Sequence, residues 1–196
     1  MLRVKEGDAY SFELLLERHR RPVINYLNRL LQNQAVAEEL AQEVFLRVYR
    51  ARSRYEPTAK FTTWLFRITT NLAFNSLRDR RGERGQISVD AVGGEDNHTW
   101  DLADTRSNRE QELVADARLE AVRRAIAALP ENQRAAVLMH KYHELDYTQI
   151  ADALGCSVSA VKSLLFRAYE TLRGKLVHLA PDQKQPSPVG SNERVS

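Results

Sequence analysis

The residues that could carry out acid–base or metal chemistry are few and scattered along the chain. Among five histidines only His140 and His143 have a ligand-like spacing, and Cys156 is the single cysteine. A structural zinc site needs four nitrogen or sulfur ligands, and no third such residue lies near this pair in the sequence. No glycine-rich phosphate loop, nucleophile elbow or HExxH motif occurs. The sequence therefore predicts a protein that is not an enzyme and that binds no metal and no cofactor.

Cationic, aromatic and amide side chains concentrate instead between residues 54 and 78. Segment 47–86 holds ten basic residues and three acidic ones, a local net charge of +7, whereas the whole chain carries +3. Unpaired nucleic-acid bases are held by a positive groove, by aromatic platforms and by polar groups that reach base edges. The segment offers basic residues for phosphates (Arg54, Lys60, Arg67 and Arg78), stacking candidates (Tyr55, Phe61 and Trp64) and edge readers (Thr62, Thr63, Asn71 and Asn75).

Helical spacing places three of these polar residues on one face. Asn71 lies four residues after Arg67 and four before Asn75, so the three share a face opposite the apolar stripe that includes Trp64. Because Trp64 has core spacing, packing is the preferred interpretation and stacking on a base is the alternative. Phe61 suits either role.

Three apolar stripes predict the helices that position this face. They run through residues 12–31, 37–48 and 61–77 with spacings of three and four. Asn33 is a candidate N-cap for the second helix. Pro22 lies inside the first stripe, where it either opens a second helix or bends a continuous one. Three such helices can bury their stripes on one another as a small bundle.

Residues 130–176 predict a helix-turn-helix. The expected signals are a capping box from Asp146 to Gln149, a left-handed Gly155 that ends the short helix, and a Ser157 cap on the next helix. The helix before them should turn Val137, Leu138 and Tyr142 inward. The exposed face of the last helix would read DNA in the major groove, and an ordinary helical hairpin with a polar face is the alternative. The candidate readers are Ser157, Ser159, Lys162, Ser163, Phe166 and Arg167.

Together these patterns predict an all-α protein of two small helical domains. The expected boundaries are an N-terminal bundle at 1–81, a flexible acidic linker at 82–111, a helix-turn-helix domain at 112–180 and a disordered tail at 181–196. Segment 90–116 carries eight acidic and two basic residues. The lone cysteine and the lack of an apolar run of membrane-spanning or signal-peptide type predict a cytoplasmic protein with no membrane segment of its own.

Two groups of motifs resemble the extracytoplasmic-function (ECF) class of bacterial sigma factors. The first group is AEELAQEVFLRVY at 37–49, FTTWLFRI at 61–68 and NLA at 71–73. The second is LPENQR at 129–134, YTQIADALG at 147–155 and SVSAVKS at 157–163. The chain departs from the family pattern at Val36, where an acidic residue is usual, and at Leu164, where Arg or Lys is frequent. The resemblance covers about residues 10–178.

The resemblance implies a function for each part of the chain. The N-terminal domain would bind core RNA polymerase and the melted −10 element of promoter DNA, with Asn71 as a base reader. The C-terminal domain would read the double-stranded −35 element, and the acidic linker would thread the polymerase channel. An anti-sigma factor is the further expected partner. Core binding is expected through Glu38, Glu39, Gln42, Glu43 and Arg47 on the second helix.

A conventional helix-turn-helix regulator that acts without core polymerase is the alternative function. Such a protein binds its operator alone, usually as a dimer on a palindrome, and has no use for residues 37–75. Transcription with core enzyme separates the two functions.

Overall fold

Every regular element in the described residues, 1–86 and 109–177 of the computed structural model, is helical. The all-α prediction is confirmed. In chain order the elements are α1 (Leu2–Lys5), α2 (Ala9–Leu31), α3 (Gln34–Arg50), a 3-10 turn (Arg52–Arg54), α4 (Phe61–Gln86), α5 (Arg109–Ala127), α6 (Glu131–Tyr142), α7 (Tyr147–Leu154) and α8 (Val158–Leu176).

The predicted domain boundaries stay predictions. The predicted tail and most of the predicted linker lie outside the described residues. Helices α4 and α5 each reach a few residues into the segment that was assigned to the linker.

Side-chain caps fix where the first long helices begin. The Asp8 carboxylate accepts a hydrogen bond from the Ser11 backbone N–H at 3.0 Å and opens α2. Asn33 caps α3 in the same way, as the sequence predicted, by accepting from the Val36 N–H at 3.0 Å. Helix α2 continues through Pro22, so the alternative of two separate helices is wrong.

The three predicted stripes meet in an N-terminal core. Helices α2, α3 and α4 pack on one another and bury apolar side chains from each, among them Leu27, Val44 and Leu65. Polar groups in this core are hydrogen-bonded within it. Thr70 donates to the Phe66 carbonyl at 2.7 Å, and the Tyr26 hydroxyl lies 2.9 Å from the Thr70 hydroxyl oxygen.

Helices α6, α7 and α8 form the predicted helix-turn-helix unit with its expected caps. Asp146 and Gln149 complete a capping box at the start of α7. Gly155 ends that helix in the left-handed region, at φ +64°, which L side chains rarely adopt. The Ser157 side chain then accepts from the Ala160 N–H and opens α8.

The N-terminal bundle and the helix-turn-helix unit pack directly against each other. Helix α7 lies against α4, and α6 lies against α2. The buried apolar residues of the two parts form one continuous cluster. Helical periodicity gave no indication of this contact, because it arises between segments that are far apart in the sequence.

Tyr142 and Phe66 make contacts that helical spacing did not predict. Tyr142 was expected to point inward but is 43% exposed, with the Arg29 guanidinium 3.8 Å from the centre of its ring. Phe66, which the sequence analysis did not single out, is 3% exposed, and its ring packs on those of Tyr26 and His143. Both departures result from the packing between the two parts of the chain.

Candidate nucleic-acid interface

The polar face of α4 is exposed as its spacing predicted. Arg67, Asn71, Asn75 and Arg78 all face outward, while Leu72 on the opposite face is buried. Arg78 donates from Nη2 to Oδ1 of Asn75 at 2.6 Å. That bond orients the Asn75 amide. The face therefore presents two guanidinium groups and two amides in one row.

Aromatic rings cluster at the start of this row. The Trp64 ring centre lies 5.1 Å from that of Tyr55 and 5.9 Å from that of Phe61, and the His19 ring meets Phe61 at 5.3 Å. Trp64 and Phe61 are half-buried and pack against the hydrophobic core. The preferred interpretation of Trp64 as a packing residue thus agrees with its contacts, and each ring keeps part of its surface open.

Two of the predicted DNA-contacting residues are buried. Tyr55 is 6% exposed: its ring packs on those of Trp64 and Phe61, and Lys5 Nζ on α1 donates to its backbone carbonyl at 3.0 Å. Burial also raises the pKa of the Tyr55 phenol. Thr63 is 2% exposed, and its hydroxyl has no hydrogen-bond partner among the described residues. Tyr55 therefore supports the aromatic cluster from behind, and neither side chain is positioned to touch a base.

The remaining predicted residues of this region border the row. Arg54 and Lys60 are exposed in the segment that leads into α4, and Thr62 is half-buried in its first turn. Arg54 and Lys60 extend the positive charge beyond the start of α4. A single DNA strand that leaves the aromatic cluster would continue along this charge.

The outer face of α8 presents the second predicted set of DNA-contacting residues. Val161 and Leu165 are buried, which turns the opposite side of the helix to solvent. The side chains on that side bond along the helix: Ser163 donates to the Ser159 carbonyl at 3.0 Å, and Arg167 donates to the Ser163 carbonyl at 3.3 Å. All six predicted residues are exposed, namely Ser157, Ser159, Lys162, Ser163, Phe166 and Arg167.

A third surface lies on α3, whereas the two basic faces lie on α4 and α8. Four predicted residues, Glu38, Glu39, Gln42 and Arg47, are exposed, and Glu43 is partly exposed. Arg47 Nε donates to Glu43 at 2.7 Å, and this hydrogen bond lowers the pKa of the Glu43 carboxyl.

An apolar groove between α2 and α3 adjoins this acidic surface, and the sequence prediction missed it. Its volume is about 670 Å³, and its walls include Phe12, Leu16, Phe45, Leu46 and Tyr49. Leu46 and Tyr49 are 48% and 42% exposed. Two large apolar residues left open beside a groove indicate a docking surface. The apolar stripes of α2 and α3 contain residues that line this groove. The sequence does not show which of them stay exposed, because that depends on how the two helices pack.

The two histidines with ligand-like spacing face different surroundings. His140 Nδ1 lies 2.9 Å from the Tyr169 hydroxyl within the helix-turn-helix unit, whereas the His143 ring packs on the N-terminal bundle. Within residues 1–86 and 109–177, no group of three or more His, Cys, Asp or Glu side chains could hold a metal ion. In the same ranges no helix is long and apolar enough to cross a membrane.

The three surfaces lie on a helical protein of two parts, an N-terminal bundle and a helix-turn-helix unit. Two family models match it: sigma-70 region 2 over residues 15–83 and sigma-70 region 4 over residues 119–172. The chain is 32% identical to the ECF RNA polymerase sigma-E factor of Escherichia coli K12. The match spans 174 residues, which are 89% of this chain and 91% of the sigma-E factor. The chain is 33% identical over 173 residues to the RNA polymerase sigma-H factor of Pseudomonas aeruginosa. This match spans 87% of this chain and 88% of the sigma-H factor.

Two solved structures share the fold with a TM-score of 0.64 and 20% identity. One is the sigma factor RpoE in complex with the anti-sigma factor NepR from Bartonella quintana. The superposed residues make up 85% of this chain and 97% of the matched chain. The other is CnrH in complex with the cytosolic domain of CnrY, where the superposed residues make up 91% of this chain and 95% of the matched chain.

The chain belongs to the ECF family of RNA polymerase sigma factors. It binds core RNA polymerase and promoter DNA and directs transcription initiation at specific promoters.

Proposed function

We propose that three separate surfaces of this chain divide the work of a sigma factor. The exposed row on α4 holds the melted −10 strand, the outer face of α8 reads the −35 duplex, and the α2–α3 groove with its acidic border docks on core polymerase. The observation that carries the proposal is the row from Arg67 to Arg78, which exposes cations and amides on a helix whose other face is buried.

The −10 assignment follows from how a duplex can be opened without nucleotide hydrolysis. A protein that hydrolyses nothing shifts DNA towards the open form only by binding that form more tightly than the closed one. Unpaired bases offer ring faces and Watson–Crick edges that a duplex hides. The α4 row supplies amides for edges at Asn71 and Asn75, and the exposed parts of Phe61 and Trp64 supply ring faces.

The −35 assignment rests on the exposed face of the first three turns of α8. Lys162 and Arg167 can donate to guanine acceptors or phosphates, and the ring of Phe166, which is 68% exposed, can meet a thymine methyl group. Leu164, where the family frequently has a cation, is half-buried against the core. That position therefore contributes packing in this chain, and Lys162 and Arg167 carry the nearby positive charge.

The polymerase assignment combines an apolar groove with a charged border. Apolar side chains at the centre of an interface give affinity, and charges at its rim select and orient the partner. Leu46 and Tyr49 supply the apolar centre, Glu38 and Glu39 supply the charges at the rim, and Gln42 adds a polar amide there. A basic or amphipathic helical segment of core polymerase is the complementary partner.

We also propose an anti-sigma factor as a partner and the cytoplasm as the place of action. One solved neighbour, RpoE, is a complex with the anti-sigma factor NepR. Core polymerase operates in the cytoplasm, and the chain is expected to act there without catalysis of its own. The acidic segment 90–116 is proposed, by family resemblance, to enter the polymerase channel.

Run-off transcription with core polymerase and the variant Asn71→Ala tests the α4 assignment. Loss of an edge-reading amide should lower open-complex formation about five- to thirtyfold, the equivalent of ~1–2 kcal/mol. Affinity for core polymerase should stay unchanged. The matched control is Asn132→Ala, which removes an exposed amide from α6.

Two outcomes would contradict the proposal. Loss of core binding by Asn71→Ala would move that residue from the DNA surface to the polymerase surface. Specific operator binding by the free protein, with no change in initiation when core enzyme is added, would favour the conventional regulator.

A further inference from the structure

The short helix α1 is anchored at the start of the N-terminal bundle. Gly7, which connects α1 to α2, has a φ of +96°. The Asp8 backbone N–H donates to the Arg3 carbonyl at 3.0 Å, while the Asp8 side chain caps α2. Val4 is 1% exposed. A glycine with positive φ, a backbone hydrogen bond and a buried apolar side chain together set the position of α1.

Lys5 ties α1 to the segment that leads into α4. Its Nζ donates to the Tyr55 carbonyl at 3.0 Å, across 50 positions of the sequence. The Tyr55 N–H donates to the Arg52 carbonyl at 3.3 Å, so both backbone groups of Tyr55 are hydrogen-bonded. Tyr55 ends the 3-10 turn, and the carbonyls at the end of a helical turn need partners from elsewhere in the chain. The Lys5 ammonium group is that partner for Tyr55.

The loop at residues 56–60, which follows Tyr55, has little packing beneath it. All five of its residues are exposed. A cavity of about 440 Å³ lies between α1, α2 and this loop, and its walls include Leu2, Leu14 and Pro57. A segment with few buried contacts moves easily. The bond from Lys5 and the buried Tyr55 ring therefore determine where the loop begins.

The Tyr55 ring connects this anchor to the aromatic cluster of the −10 surface. Its centre lies 5.1 Å from that of Trp64 and 6.4 Å from that of Phe61. The exposed cations Arg54 and Lys60 lie on either side of Tyr55 in the chain. A shift of the Tyr55 backbone would therefore displace both rings and both cations.

We propose that Lys5 is a positioning residue for the melted −10 strand: its bond to Tyr55 holds the loop and the aromatic cluster in the geometry that receives unpaired bases. This inference rests on the proposed assignment of α4 and its aromatic cluster to the −10 element. A surface that is already ordered loses less conformational freedom on binding, and so it binds more tightly. Lys5 acts through Tyr55 and does not contact DNA itself.

The functional test uses the full-length chain with core polymerase and a forked promoter fragment that is single-stranded over the −10 element. Lys5→Met removes the donor and keeps most of the side-chain length, so binding of the fragment should weaken about fivefold, which corresponds to ~1 kcal/mol. Lys5→Arg retains a donor and should restore binding. Arg3→Met removes a cation from the same helix, but Arg3 makes no side-chain hydrogen bond to residues 52–60 in the described structure, so this control should bind as the native chain does.

Gly7→Ala moves α1 without changing any charge. An added Cβ would meet nothing within 4 Å, but L side chains rarely adopt a φ of +96°, so the backbone must shift and carry Lys5 away from Tyr55. This variant should weaken binding of the forked fragment as Lys5→Met does. The matched control is Gly174→Ala on α8, where the Cβ also meets nothing within 4 Å and φ is not positive.

Tryptophan fluorescence follows the aromatic cluster itself in the absence of DNA. The chain has two tryptophans, so Trp100→Phe leaves Trp64 as the single one. In that background, Lys5→Met should shift the Trp64 emission to longer wavelength and increase its quenching by acrylamide, because the Tyr55 ring then shields the indole less. Lys5→Arg and Arg3→Met should leave both quantities unchanged.

The results separate this inference from the proposed function. If Lys5→Met and Gly7→Ala bind the forked fragment normally while Asn71→Ala binds it weakly, the positioning role is refuted and the α4 assignment stands. A fall of about one unit in the salt slope of Lys5→Met would mean that Lys5 contacts a phosphate directly, which also overturns the inference. Loss of core affinity by Lys5→Met would assign α1 to the polymerase surface instead. Normal binding by Asn71→Ala as well would refute the proposed function.

Discussion

Replacing Lys162 by alanine should weaken promoters that depend on the −35 element and spare those that do not. Lys162 is exposed in the first turns of α8, whereas Val161 beside it is buried, so the substitution removes a charge and leaves the packing of the helix intact. One lost contact to a guanine edge corresponds to ~1–2 kcal/mol, or a five- to thirtyfold drop in promoter occupancy.

The salt dependence of binding distinguishes two roles for Lys162. If the ammonium group contacts a phosphate, the slope of log K against log salt for the polymerase complex should fall by about one unit, with similar losses on all −35 sequences. If it contacts a base, the slope changes little and discrimination is lost at one position of the element. A filter-binding titration of the complex on a set of −35 variants measures both quantities.

The matched control is Lys175→Ala, which removes the same charge from the last turn of α8. It should alter neither discrimination nor the slope by a comparable amount. Equal losses from the two variants would mean that only the overall charge of α8 matters. An equal loss on promoters with and without a −35 element would remove Lys162 from sequence reading.

Three other perturbations address docking, stability and pH. Leu46→Asp should weaken core polymerase binding tenfold or more, because it places a carboxylate in the apolar groove, while Leu14→Asp, at a similarly exposed leucine outside the groove, should not. Tyr26→Phe should lower the free energy of unfolding in urea by about 1 kcal/mol, since it removes the buried bond to Thr70; an unchanged value would mean that this bond adds no net stability. Burial lowers the folded-state pKa of His143 to about 4, so the folded protein should be fully stable above about pH 6.5 and lose stability as the pH falls towards 4. Nuclear magnetic resonance of the His143 ring checks this, and a normal titration near pH 6.5 would contradict the burial of this ring against Phe66 and Tyr26.

Local signals in the sequence predicted much of the fold correctly. Asn33, Asp146, Gly155 and Ser157 act where the caps and turns were expected, because each acts on backbone groups within a few residues of itself. The polar face of α4 followed from helical spacing for the same reason. Its outward position required only that the opposite stripe be buried.

Contacts between distant segments were beyond those signals. Spacing placed Tyr142 inward, but its ring lies at the edge of the contact with α2, under Arg29. Tyr55 and Thr63 have residue types that suit DNA contact, but both side chains are buried. Lys5 on α1 also donates a hydrogen bond to the Tyr55 backbone carbonyl. The hydrogen bond from Arg134 to the Leu30 carbonyl and the packing of His143 on Phe66 had no local signal, because each contact joins residues that lie far apart in the sequence.

The hydroxyl group of Ser163 has its hydrogen directed at a backbone carbonyl on its own helix, that of Ser159. In this arrangement only the oxygen lone pairs face outward, so the side chain can accept a hydrogen bond but cannot donate one to a phosphate or to a guanine acceptor. In the major groove the exocyclic amino groups of adenine and cytosine are the donors that remain. If α8 reads DNA as proposed, this arrangement of Ser163 favours a base pair that presents an amino group at its position.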